Sequence, residues 1–315
     1  MLIASHKTAF QFWRAYRGPV DPYRIPAAQQ ALASPQPPAD AALAELRRLG
    51  FNPTAKTPVD LLFFGREPRT RTVWSRAHAV FDELPSGTLV QLSDLVAVVS
   101  PELCFVQMAT IRSFEQTVLA GFELCGTYAQ LGPDRKLAER PPLTSTARIG
   151  ELMGELRRTR TAKPASALAY VLDGAASPME AKLAILLTLP ATSGGYGLPA
   201  PQMNAPIPLG AAAFRVYPHS PCRADLYWPA ARFDLEYDGE DAHDADAHAK
   251  DVARLAALAM EGVDVLEVAK AQLADAAAFH GIAGVVARKL GRRLRVRRRD
   301  FVVRCTRLRE QLEME

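Results

Sequence analysis

Arg223-Ala224-Asp225-Leu226-Tyr227-Trp228-Pro229-Ala230-Ala231-Arg232-Phe233-Asp234-Leu235-Glu236-Tyr237-Asp238-Gly239 reads as a tight β-hairpin with an unusual charge pattern. With Pro229 to Arg232 as the turn, Trp228 pairs with Phe233, and Asp225 falls opposite Glu236. Strand alternation places Asp225, Tyr227, Asp234, Glu236 and Asp238 on one face. Leu226, Trp228, Phe233, Leu235 and Tyr237 take the other. Like charges facing each other destabilise a strand pair, so the two carboxylates call for a compensating partner. A divalent cation with oxygen ligands is one such partner, leaving coordination positions for water and substrate phosphate. An edge hairpin with a solvated acidic face is the competing reading.

The surrounding residues extend the pattern. Ser177-Pro178-Met179-Glu180 opens a helix in capping-box order, which gives Glu180 a structural alternative to a chemical role. Downstream, His243, Asp251 and Arg254 lead into a helix from about Ala247 to Glu261, ended by Gly262. Val263, Val265, Leu266 and Val268 then read as a buried strand. Asp241, His243, Asp244, Asp246, His248 and Asp251 are spaced either as a metal cluster or as an acidic helix start favoured by the dipole. Gly194-Gly195-Tyr196-Gly197 is read as a flexible turn. It lacks the Lys-Ser/Thr of a phosphate loop, and Pro199 and Pro201 block the helix such a loop requires.

These strings, with Leu198 to Asn204 before the first acidic strand, resemble the PD-(D/E)XK nuclease superfamily, and within it the very-short-patch-repair (Vsr)-like branch. The resemblance covers about residues 165 to 310. It implies a restriction-endonuclease-like mixed sheet flanked by helices, with Asp225 and Glu236 as ligands of Mg²⁺ or Mn²⁺. The Tyr237 carbonyl would be a third ligand, and Glu180 the upstream acid completing the catalytic set. His243 and Arg254 would lie near the scissile phosphate. The lysine usual two residues after the second acid is Asp238 here, which joins the expected catalytic set as a residue that would orient a water or a second cation, and the water-activating group is open among Lys182, His243 and Lys250.

Net charge is +4 over 315 residues. Eleven basic residues and one acid, Asp300, fall between Arg288 and Arg309, a local +10 that leaves −6 for the remainder. Arg292, Arg293, Arg295, Arg297 and Arg299 there suggest a phosphate-contacting surface, with Arg295, Arg297 and Arg299 on one side of an extended segment. A solvated tail is the alternative. Phe279 to Leu290 reads as a helix ended by Gly291.

No apolar run approaches the roughly 18 residues needed to span a bilayer, and the opening residues lack a secretory core. The four cysteines are scattered, with no CxxC spacing. Together these predict a cytoplasmic protein with reduced thiols and no membrane partner.

The expected class is α/β (α+β), with an N-terminal α+β domain over 1–160 and a nuclease-like domain over 165–315. In the first, Phe10 to Tyr16, Ala41 to Leu49, Ser100 to Met108 and Val118 to Leu124 read as helices. Thr88 to Leu92 and Leu95 to Val99 read as a strand pair, while Ile25 to Asp40 is broken by prolines. Lys163-Pro164 breaks the pattern before a helix over Ala165 to Leu172. The first half is vaguely similar to abortive-infection antitoxin-type regulators, which implies a possible protein partner. The expected function is a metal-dependent endonuclease acting on DNA in repair or phage defence. The alternative is a catalytically inactive nuclease-like DNA-binding regulator.

Overall fold

The computed structural model describes residues 1–25, 39–65, 72–132, 134–156, 158–238, 245–296 and 298–313. His243, Arg297, the proline-rich stretch and part of the Asp241–Asp251 cluster lie outside them. Two compact units divide the chain, Met1–Val171 and Leu172–Glu315, a boundary a few residues beyond the one expected. Pro164 lies inside a helix, Arg158–Leu168, and does not break one. That helix belongs to the first unit. Both units mix helices and strands in an α+β arrangement.

In the first unit, strands Leu2–Ala4 (β1), Arg24–Ile25 (β2), Val59–Phe64 (β3), Ser75–Val80 (β4), Leu89–Gln91 (β5) and Val96–Val99 (β6) form one mixed sheet, ordered β2-β5-β6-β1-β3-β4. The short β1 is apolar on both faces and fully buried, as a strand with neighbours on both sides requires. It pairs parallel with β6 and antiparallel with β3. The expected β5–β6 pair is present, entered through Gly87 at φ 76°. Helices His6–Ala15 (α1), Ala39–Arg48 (α2), Pro101–Ile111 (α3), Phe114–Cys125 (α4), Thr146–Glu155 (α5) and Arg158–Leu168 (α6) accompany the sheet. Ser100 and Ser113 cap α3 and α4, and the latter makes a full capping box with Gln116.

His6, at the β1–α1 junction, has a left-handed backbone (φ 47°), and its N–H donates to Gln107 Oε1 at 2.9 Å. Its ring stacks on His78 with centroids 3.7 Å apart, and Asp60 Oδ1 lies 2.8 Å from His78 Nε2. Burial and then His78 push the His6 imidazole down to about 4. The stability this neutral ring contributes is present above the unfolded value near 6.5 and is lost as pH falls through 4. Acidification across that window is expected to cost up to about 3 kcal/mol, and His6→Gln should flatten the denaturation midpoint over the same range. An equal slope in that variant would refute the assignment.

The second unit contains helix Pro178–Thr188 (α7), strand Gln202–Ile207 (β9), helix Ala211–Val216 (α8), strands Cys222–Trp228 (β10) and Phe233–Asp238 (β11), helix Ala245–Met260 (α9) and strand Asp264–Ala269 (β12). Helices Lys270–Ala274 (α10), Ala276–Lys289 (α11) and Phe301–Glu313 (α12) follow. A separate hairpin, Tyr128–Leu131 (β7) with Lys136–Glu139 (β8), belongs to the first unit. The four-stranded sheet runs β12-β11-β10-β9, with β11–β12 parallel and the other pairs antiparallel. Helix α7 packs on β10 and β11, and α9 packs on β12.

Several expectations change here. Strand β9 was not foreseen. β12 is an outer strand with Asp264 and Glu267 exposed, not a buried one. Phe301 to Val303 opens a helix. The glycine turn is packed: a Cβ on Gly194 would meet the Arg304 carbonyl at 2.4 Å, and one on Gly195 the Leu189 carbonyl at 2.2 Å. Those glycines serve close backbone approach rather than flexibility. All four cysteines are free and buried. Among the described residues no helix is long and apolar enough to cross a membrane.

Candidate functional site

The β10–β11 register is Leu226↔Leu235, Tyr227↔Asp234 and Trp228↔Phe233, which sets Asp225 opposite Glu236. The turn is a single 3-10 turn, Pro229–Ala231, closed by Arg232 in the left-handed region. The centre of the acidic face, however, is buried, and of its acids only Asp238 at the end of β11 is exposed. β10 and β11 are the inner strands of the sheet, and Asp234 is 0% exposed and Glu236 5%. This removes the reading of an edge hairpin with a wet acidic side.

Each carboxylate has defined partners. Asp225 Oδ2 accepts from the Tyr237 N–H at 3.0 Å. Glu236 receives a fork from Arg254 of α9, Nη1 on one oxygen at 2.5 Å and Nη2 on the other. Glu180 Oε2 accepts from Asn204 Nδ2 at 2.6 Å and from the Ala176 N–H at 2.9 Å. Ser177 Oγ caps α7 at the Glu180 N–H, so only half of the expected box forms, and the glutamate side chain is turned to Asn204.

Asn204 is a residue the sequence reading passed over. Its backbone is left-handed (φ 47°), a conformation asparagine tolerates better than most residues. Ladder pairs Ala224↔Ala205 and Leu226↔Met203 flank the site, so the kink falls beside Asp225 and brings the amide to Glu180.

Asp234 was also missed as a site residue. Neither of its oxygens receives a hydrogen bond from a donor, although it is wholly buried. Burial, followed by the neighbouring Glu236, drives its carboxyl far above the carboxylate range. Burial and then the charge of Glu180 raise Asp225 to about 7, against the opposing Tyr237 N–H. Burial also raises Glu180, and its three hydrogen bonds oppose that shift. Arg254 is held above its ordinary value by Glu236. Among the described residues, four acids therefore share one neighbourhood in which Arg254 is the guanidinium bonded to a carboxylate.

That imbalance fits a hard cation in donor type and in charge, because buried carboxylates need a counter-charge or a proton. The present side-chain arrangement fits less well. Among the described residues no group of three His, Cys, Asp or Glu side chains is placed to hold an ion, and both Glu236 oxygens are taken by Arg254.

The remaining candidates are dispersed. Asp238 is exposed at the end of β11. Lys182 bonds Glu313 at 3.0 Å, and Lys250 is exposed on α9, so neither lysine joins the acids. Arg292, Arg293, Arg295 and Arg299 are exposed in an irregular stretch, not a strand. Other basic residues nearby are engaged internally. Arg304 bonds Asp300 and the Thr192 carbonyl, Lys289 pairs with Asp264, and Arg309 donates to the Leu273 carbonyl and lies 5.1 Å above the Phe279 ring.

No protein-family model matches the chain, and no curated protein and no solved structure matches it.

Proposed function

We propose that the second unit is a divalent-cation-dependent endonuclease domain acting on DNA, of the PD-(D/E)XK kind. The observation that carries this reading is the surplus of acid around Asp225 among the described residues: Glu180, Asp225, Asp234 and Glu236, with Arg254 paired to Glu236. The mixed four-stranded sheet with α7 packed on β10 and β11 and α9 on β12 is compatible with the mixed sheet flanked by helices that the resemblance implies, with β9 and α8 as additions to it.

Asp225 and Glu236 would hold Mg²⁺ or Mn²⁺. Such an ion, when bound, lowers the pKa of its water and offsets charge developing on the phosphate. Glu180 fixes Asn204 and the strand beside Asp225. Arg292, Arg293, Arg295 and Arg299 supply phosphate contacts without base readout. Changing these four arginines to Ala is expected to weaken DNA binding for all sequences and to reduce the salt slope by about 3 to 4, read by fluorescence anisotropy at several salt concentrations. An unchanged slope removes that surface from the interface.

A second reading is a DNA-associated regulator without catalysis, with a protein partner for the first unit. Arg254 on Glu236, and the absence of a lysine among the acids, favour it. Calorimetric titration with Mg²⁺ and Mn²⁺, followed by assays on plasmid and mismatched DNA, separates the two. DNA binding with neither metal uptake nor cleavage would select the regulator.

A further inference from the structure

We propose that Arg254 is an internal counter-cation that closes the acid cluster, so that a divalent ion and the Arg254 guanidinium compete for Glu236. The inference rests on the cation-dependent reading above and concerns how that site is regulated.

The geometry makes the competition direct. A guanidinium fork uses one lone pair on each carboxylate oxygen in a single plane, and Arg254 makes this contact to both oxygens of Glu236. Glu236 is 5% exposed, which leaves little room for a second positive partner beside the fork. Arg254 is less committed. Its side chain keeps 21% of its surface, and its other contact, to the Arg223 carbonyl, is long at 3.5 Å. It can therefore swing to water or to a phosphate, whereas Glu236, on an inner strand, cannot follow. Asp234, wholly buried on the same face with no donor to either oxygen among the described residues, shows how few donors this face offers its acids besides Arg254.

Two consequences follow. Cation affinity is reduced by the fraction of molecules in which Arg254 holds Glu236. A DNA phosphate that draws Arg254 away strengthens cation binding, and by linkage the cation strengthens DNA binding to the same degree. The domain would then be closed until both are present.

The test is Mn²⁺ binding to the full chain by calorimetry, with the wild type, R254Q, R254K and D225N compared and folding checked by near-ultraviolet circular dichroism. R254Q is expected to bind Mn²⁺ about tenfold tighter or more, since a charge-assisted fork no longer competes. R254K, which keeps the charge without the fork, should fall between. If R254Q does not fold, R254K alone decides: its Mn²⁺ affinity must exceed that of the wild type. Wild-type binding abolished in D225N but unchanged or weaker in the Arg254 variants overturns the competition and leaves the cation reading standing. No Mn²⁺ binding in any folded variant overturns both.

Discussion

Asp225→Asn is expected to abolish DNA cleavage, by at least about a thousandfold, while leaving the fold intact or more stable. The loss follows from removing a carboxylate that would hold the ion, whose charge stabilisation and activated water are worth several kcal/mol in the transition state. The retained fold follows from the site itself. Asparagine is nearly the same shape, and its carbonyl oxygen can still accept from the Tyr237 N–H, the side-chain bond that ties Asp225 to β11. The stability difference also has a sign. Asp225 is raised to about 7 by burial, so its contribution to stability is fully present below the ordinary value near 3.8 and is lost as pH rises through 7. Without divalent ions, the Asn variant should therefore gain on the wild type between pH 4 and 7, on the order of 2 to 4 kcal/mol above pH 7, and match it below pH 4. Urea midpoints at pH 4 and pH 8 measure this. Cleavage at the wild-type rate by the folded variant would end the catalytic reading.

Arg140→Ala is expected to cost about 3 to 5 kcal/mol of stability in the first unit, independently of any activity. Arg140 is 6% exposed, and burial lowers its guanidinium to about 10. Its Nη1 donates to the carbonyls of Trp13 at 2.5 Å and Tyr16 at 3.0 Å, and Nη2 to that of Glu123 at 2.6 Å. Trp13 and Tyr16 lie at the C-terminal end of α1, and Glu123 in the last turn of α4. One cation thus ties together the negative ends of two helix dipoles, where unpaired carbonyls collect. Alanine would take a charged donor from three carbonyls, those of Trp13 and Glu123 in buried contacts. Chemical denaturation of the full chain should show the first transition moving while the second stays. A shift under about 1 kcal/mol would mean that water replaces the guanidinium.

The hairpin was legible because its turn and its alternation are both local: Pro229 to Arg232 fixes the register, and period two sorts the faces. Whether the acidic face was wet or dry was not local. It depends on β12, pairing from Asp264 onward, and on Arg254, eighteen residues beyond Glu236. β9 escaped notice because Pro206 interrupts an already weak pattern, and a proline is tolerated there on the outer strand of the sheet. Val302 and Val303 are exposed on α12, where Phe301, Cys305, Leu308 and Leu312 make the buried stripe. The first unit's α3 was readable from its Ser100-Pro101-Glu102 start, whereas α4 was read only over Val118 to Leu124 and its Ser113 capping box went unnoticed. β1 was not readable, since three apolar residues before a helix carry no period.

The position of β1 also bears on how the chain is made. Leu2–Ala4 lies between β6 and β3, so it has one flank open until Val96–Val99 has left the ribosome. Over the roughly ninety residues of synthesis that separate β1 from β6, a nascent chain holds an apolar strand it cannot yet satisfy, which is the situation chaperones attend.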